Sequence, residues 1–125
     1  MYAYSIIHII MESSTHLPES FYRVGVKGLY VRDGKILLSY DATCTVDGKP
    51  ASLWELPGGG MDFGETFKET LVREVREEMG VVVTRVADRP MYAWTHKVIG
   101  GRNMEWFYVL LLAFPFEVEN LEITP

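Results

Sequence analysis

A run of three glycines, Gly58-Gly59-Gly60, stands just ahead of a segment that codes a helix, and the pair restricts the fold more than any other stretch. Thr66-Phe67-Lys68-Glu69 has the spacing of a capping box. In such a box the threonine side chain accepts from a backbone N–H three residues on, and the glutamate reaches back to the threonine. Gly80 follows Met79 and suits the left-handed position that closes a helix. The 13 residues between these signals make roughly 20 Å of helix. Phe67, Leu71, Val75 and Met79 recur every fourth residue with Val72 beside them, so the helix has one apolar face to bury on a sheet. Trp54-Glu55-Leu56-Pro57 reads as a short strand running into the glycine turn.

Glu74, Glu77 and Glu78 are spaced i, i+3, i+4 and share an adjoining face of the helix. Like charges at that spacing destabilise a helix by roughly 0.2–0.5 kcal/mol per pair, and a cation between them reverses the sign. Carboxylates alone suit a hard ion such as Mg²⁺ or Mn²⁺. A glutamate-rich helix by itself is as readily a solvated acidic face, with Arg73–Glu77 an ordinary ion pair. The glycine run changes the weighing, because residues without side chains let the backbone approach a ligand or metal closely.

The whole stretch from Gly59 to Val81 has a fixed grammar: a glycine, five residues, Glu65, seven residues, then Arg73-Glu74-Val75-Arg76-Glu77-Glu78-Met79-Gly80-Val81. It is similar to the Nudix box, so the chain resembles a Nudix hydrolase. The resemblance implies a Nudix-type α/β/α sandwich with a mixed β-sheet. It also implies hydrolysis of a nucleoside diphosphate linked to another group, with Mg²⁺ or Mn²⁺ held by Glu74, Glu77, Glu78 and the carbonyl of Gly59, Gly58 being the second choice. Those three glutamates are the expected catalytic set. Glu77 is preferred as general base, a role that moves between box glutamates and later loops in the family. Asp62 stands where the family often has an acidic residue. Glu65 is either a further ligand, a substrate contact or structural, and Arg73 is expected to brace the loop through an ion pair.

The 125 residues fit one domain, and 48% hydrophobic against 23% charged composition is that of a globular protein. The net charge of −5 argues against nucleic-acid binding through a basic surface, but not against a small phosphorylated substrate beside a metal. Cys44 is the one cysteine, so no internal disulfide forms and a reducing cytoplasm is expected. Tyr2 to Met11 is apolar but too short to span a bilayer and lacks a basic leader region. It reads as a strand, followed by a linker to residue 20.

Phe21–Arg32 and Lys35–Tyr40 read as strands around the Asp33-Gly34 turn. Family members often carry basic residues at the end of the second; here Ser39-Tyr40-Asp41 stand there. Residues 42–52 form a longer loop, either lining the site or a solvent-exposed hairpin tip. Val81–Val86, Met91–Val98 and Asn103–Phe114 read as later strands, the run Phe107–Phe114 being apolar enough for a central one. Trp94, Trp106 and Tyr108 can stack on a base, though aromatics in strands are more often core; His96 alternates with Trp94 and can share its cleft as a candidate for substrate contact or proton transfer.

No helical pattern follows Phe114, so the C-terminal helix common in the family is not expected. Either the chain is shortened, or the N-terminal strand and a partner subunit cover that face, which makes a homodimer the preferred expectation. The proline that tends to mark ADP-ribose hydrolases and the tyrosine that tends to mark diadenosine polyphosphate hydrolases are both missing beyond the box. A nucleoside triphosphate pyrophosphohydrolase is the reading by elimination. ADP-ribose, nucleotide-sugar and dinucleoside polyphosphate hydrolysis, or a non-catalytic nucleotide sensor, are the alternatives. No membrane and no nucleic acid partner is expected.

Overall fold

A computed structural model describes residues 22–41, 45–46, 49–50, 53–99 and 106–121. The strand expected near the N-terminus and Cys44 lie outside them. Eleven strands and one helix are found among the described residues. The strands are β1 (Tyr22–Leu29), β2 (Val31–Arg32), β3 (Lys35–Ile36), β4 (Ser39–Asp41), β5 (Thr45–Val46), β6 (Lys49–Pro50), β7 (Leu53–Glu55), β8 (Gly58–Gly60), β9 (Val83–Val86), β10 (Tyr92–Ile99) and β11 (Trp106–Val118), with α1 (Phe67–Met79) between β8 and β9. The fold is mixed α/β.

The main sheet runs β10-β11-β1-β8, with β9 also paired to β11. Strand β1 is parallel to β11 and antiparallel to β8, while β10 and β9 are both antiparallel to β11. The apolar run at 107–114 is therefore central, as its composition demands. Pro115 has no N–H to give, and it falls where β11 changes partner: Met91 N–H donates to Ala113 O and Ala87 N–H to Pro115 O, both at 2.8 Å.

The Asp33-Gly34 turn forms as expected, with φ of 53° and 73° at its two residues, the pair of positive values a tight hairpin with twisted strands requires. The long hairpin does not. Only Val31–Arg32 and Lys35–Ile36 pair as strands; β1 upstream is taken by β11 and β8, and Ser39–Asp41 by Leu53–Glu55. Within the expected 42–52 loop, Thr45–Val46 pair with Lys49–Pro50 as β5 and β6.

Helix α1 is capped as its sequence requires. Glu69 N–H donates to the Thr66 side chain, the Glu69 carboxylate accepts from Thr66 N–H, both at 3.1 Å, and Gly80 closes the helix at φ 67°. Leu71 and Val75 are fully buried in a core with Val26, Phe114 and Phe116. Phe67 lies against Phe114 with ring centroids 5.5 Å apart. Val72, expected on the buried face, is exposed, and Thr70 is buried in its place. Thr70 tolerates this because its hydroxyl donates to Thr66 O and Glu65 Oε1, each at 3.1 Å.

Candidate active site

The glycine strand β8 and helix α1 meet, and side-chain-free residues make the meeting possible. A Cβ on Gly59 would stand 2.6 Å from the Glu74 carboxyl carbon and 2.7 Å from both its oxygens. Glu74 thus lies directly over the Gly59 backbone. One turn on, Glu78 Oε2 accepts from Gly58 N–H at 3.3 Å. Desolvation as its carboxyl turns inward pushes the Glu78 pKa up, against the opposing pull of the Gly58 N–H and the Lys27 charge.

Arg73 ties the loop to the helix. Its Nε donates to Glu65 at 2.8 Å, Nη1 to Glu74 at 2.8 Å and to Glu77 at 3.4 Å, and Nη2 to Gly60 O at 3.0 Å and Glu65 at 2.9 Å. Asp62 completes the cluster, 3.5 Å from Nε. Glu65 also accepts from Asp62 N–H at 2.8 Å. The hydrogen bonds from Arg73, then from the Asp62 backbone, hold its carboxyl down to about 2. Arg73 and Glu65 thus link the loop to the helix, Glu65 accepting from Arg73, Thr70 and the Asp62 N–H.

Of the three box glutamates, Glu74 and Glu78 converge on the glycine strand, whereas Glu77 is turned to Arg73 with its side chain 60% exposed. No group of three or more His, Cys, Asp or Glu among the described residues is gathered tightly enough to enclose an ion. The donor type nevertheless fits a hard divalent cation. Two carboxylates meet the backbone of the glycine strand, Glu74 across a gap at Gly59 that a single methyl group would fill and Glu78 at the Gly58 N–H.

Trp94 and His96 sit apart from the glutamates. Trp94 pairs with Leu111, Leu111 with Gly25 and Gly25 with Gly60, so these four share one cross-strand row. Gly59, one residue on, faces α1, and the row therefore lies on the other face of the sheet. Three strand spacings, about 14 Å, separate Trp94 from Gly60. His96, opposite Val109, shares the Trp94 face, as its alternation with Trp94 predicts.

Sequence reasoning passed over Lys27. It lies opposite Gly58, its side chain is only 13% exposed, and Nζ is 3.4 Å from Gly58 O and 3.7 Å from Glu55 Oε1. Its one sequence signal is a cation inside the otherwise uncharged run Val24-Gly25-Val26-Lys27-Gly28-Leu29. A cavity of about 870 Å³ opens elsewhere, lined by Leu29, Ile36, Arg85, Met91, Tyr92 and Phe116 among others. No box glutamate borders it; those carboxylates lie at the junction of β8 and α1.

A family model described as a NUDIX domain matches residues 21–124. Among curated proteins, a CTP pyrophosphohydrolase of Escherichia coli (strain K12) is 42% identical over 59 residues, covering 47% of this chain and 42% of that protein. A nucleoside triphosphatase of Enterobacter sp. (strain 638) is 35% identical over 77 residues, covering 57% of this chain and 52% of that protein. The chain thus spans about half the length of the curated relatives it matches. The solution structure of the E. coli ORF135 protein superposes with a TM-score of 0.62 and 27% identity, covering 84% of this chain and 68% of that one.

Proposed function

The chain belongs to the NUDIX family, and from that premise we propose that it hydrolyses a nucleoside diphosphate linked to another group, with a nucleoside triphosphate as the preferred substrate. The observation that carries this reading is the seating of the Glu74 carboxylate on Gly59 with Glu78 on the Gly58 amide. Two relatives act, by name, on CTP and on nucleoside triphosphates, which favours the triphosphate over dinucleotide and sugar-linked substrates. That choice also agrees with the missing ADP-ribose and dinucleotide markers.

Glu74, Glu77, Glu78 and the carbonyl of Gly59, with Gly58 second, are the residues that would hold Mg²⁺ or Mn²⁺. When bound, the ion supplies charge neutralisation for the phosphates and acidifies water. Arg73 fixes the loop so that the carboxylates and the glycine carbonyls keep their spacing. Glu77, whose side chain is exposed beside Arg73, takes the proton from the attacking water. The water oxygen forms a bond to phosphorus as the bond from phosphorus to the leaving oxygen breaks. A triphosphate then yields nucleoside monophosphate and pyrophosphate.

Glu77→Gln tests this. The amide keeps the size and removes the base, so the variant should fold as the parent and lose turnover by roughly 100-fold or more. The assay is a panel of nucleoside triphosphates, ADP-ribose, dinucleoside polyphosphates and nucleotide sugars with Mg²⁺ or Mn²⁺, products resolved. Undiminished turnover in the variant removes Glu77 from the base role. Tight binding of one compound without turnover by the parent would point to a nucleotide sensor.

A further inference from the structure

The junction of β8 and α1 is crowded with negative charge: Glu55, Asp62, Glu65, Glu74, Glu77 and Glu78 all lie on or beside it. A polyphosphate brought there needs cations of the protein as well as any bound ion. Arg73 is the obvious one and is spent. Every nitrogen of its guanidinium already donates to a carboxylate or to Gly60 O. The strand end at Ser39-Tyr40-Asp41 adds no positive charge.

Among the described residues, two cations of β1 lie beside the glycine strand. Lys27 is largely enclosed, yet its contacts, 3.4 Å to Gly58 O and 3.7 Å to Glu55, are long beside the roughly 2.9 Å of a well-formed N–H···O bond. An ammonium has three N–H groups to satisfy, so Lys27 holds donors in reserve. Arg23 has no ion pair or side-chain hydrogen bond among the described residues. Both residues alternate with Val24 and Val26, so they share the face of Gly25 and not the face packed on α1.

Between them on β1 lies Gly25, covered by the Leu111 side chain at 2.6 Å from where a Cβ would stand, and across from it β8 offers a glycine floor. Lys27 is opposite Gly58 and Gly25 is opposite Gly60. A Cβ built on Gly60 would have only the Arg23 guanidinium within 4 Å, at 3.8 Å. Because β8 ends the β10-β11-β1-β8 order, a ligand lying along it meets this cationic face and, round the edge, the glutamates of α1. Two cations four residues apart on a strand stand about 13 Å apart, a span that flexible lysine and arginine side chains close onto a di- or triphosphate from its two ends.

We infer that Lys27, with Arg23 at the other end of the glycine strip, binds the phosphoryl oxygens of the substrate, forming a polyphosphate subsite on the sheet face opposite α1. This rests on the hydrolase reading above. Losing a charge-assisted hydrogen bond at such a site weakens binding by roughly 10-fold or more. Lys27→Gln should therefore raise KM for the best nucleotide of the panel by about that factor and leave kcat within about threefold. Lys27→Arg should recover most of the loss, which a purely packing role would not allow. Arg23→Gln, at a more open position, should raise KM in the same sense without risk to the fold, and circular dichroism of each variant checks that the fold is kept. An unchanged KM in Lys27→Gln, with the parent active, overturns the subsite and leaves the hydrolase reading standing. So does a fall in kcat at constant KM, which would place Lys27 in support of the glycine strand instead. If the parent turns over none of the panel, calorimetry with inorganic pyrophosphate and Mg²⁺ carries the test. Binding weakened in Lys27→Gln supports the subsite, and equal or absent binding in both proteins rejects it.

Discussion

Glu65 shows what a single side chain does here. In the unfolded chain its carboxyl titrates near 4.5, and in the folded protein near 2, because the Arg73 guanidinium and the Asp62 N–H hold the charged form. The folded state therefore binds fewer protons than the unfolded state between those values, and stability falls as pH falls through them. Above about pH 4.5 the contribution is fully present; by about pH 2 it is gone. Glu65→Gln should accordingly flatten the dependence of the denaturation midpoint on pH across this window and leave the dependence above pH 5 alone. A mutant with the parent's slope between pH 2 and 4.5 would show that another carboxylate drives acid unfolding. By contrast, the Lys68–Asp88 pair at 2.5 Å has side chains 53% and 88% exposed, and surface pairs of that kind contribute little.

At the scale of the element, the helix and the glycine strand act as one device. Gly59 needs no unusual backbone angle, since the positive φ values belong to its neighbours Gly58 and Gly64. What it needs is room. Gly59→Ala places a methyl group 2.6–2.7 Å from the Glu74 carboxylate, and the flexible end of Glu74 moves before the backbone does. The expected result is a melting temperature near that of the parent with turnover reduced by roughly 100-fold, the scale on which an ångström of misplacement acts. If activity survives, Glu74 over Gly59 is not the working arrangement. The ends of α1 were legible in the sequence because Thr66, Glu69 and Gly80 encode them locally. Its buried face was legible only in part. A four-residue repeat picked out Leu71 and Val75, but assigning a hydroxyl to the core in place of Val72 required knowing that Glu65 and the Thr66 carbonyl would satisfy Thr70. Strand partners were less legible still. The Asp33-Gly34 turn is a local code, whereas the loss of β1 from that hairpin to β11 is a long-range choice no window of residues contains. Lys27 was missed for the same reason, its meaning lying in Gly58 and Glu55 across the sheet.

At the scale of the whole molecule, a net charge of −5 with so much of the acid gathered at one junction sets the folded state against itself. Arg73 offsets part of that repulsion through four carboxylates. Glu78 lies outside that cluster, and desolvation, more than the neighbouring Glu74 and Glu55 charges, raises its pKa. A divalent cation that binds the folded junction and not the unfolded chain must raise stability by mass action, by about 2.7 kcal/mol when present at 100 times its dissociation constant. For a chain of 125 residues that corresponds to a melting temperature higher by roughly 5–15 °C. Thermal denaturation with Mg²⁺ or Mn²⁺ against the same protein in chelator reads this directly and needs no substrate. Glu74→Gln and Glu78→Gln should each shrink the shift, because each removes a donor to the ion. Glu78→Gln should also raise the melting temperature measured in chelator or leave it unchanged, because desolvation disfavours the Glu78 charge, whereas Glu74→Gln gives up the Arg73 ion pair and should lower it. In Glu78→Gln that opposite pair of signs separates an ion site from a merely structural carboxylate, whose loss would lower stability whether or not the ion is present.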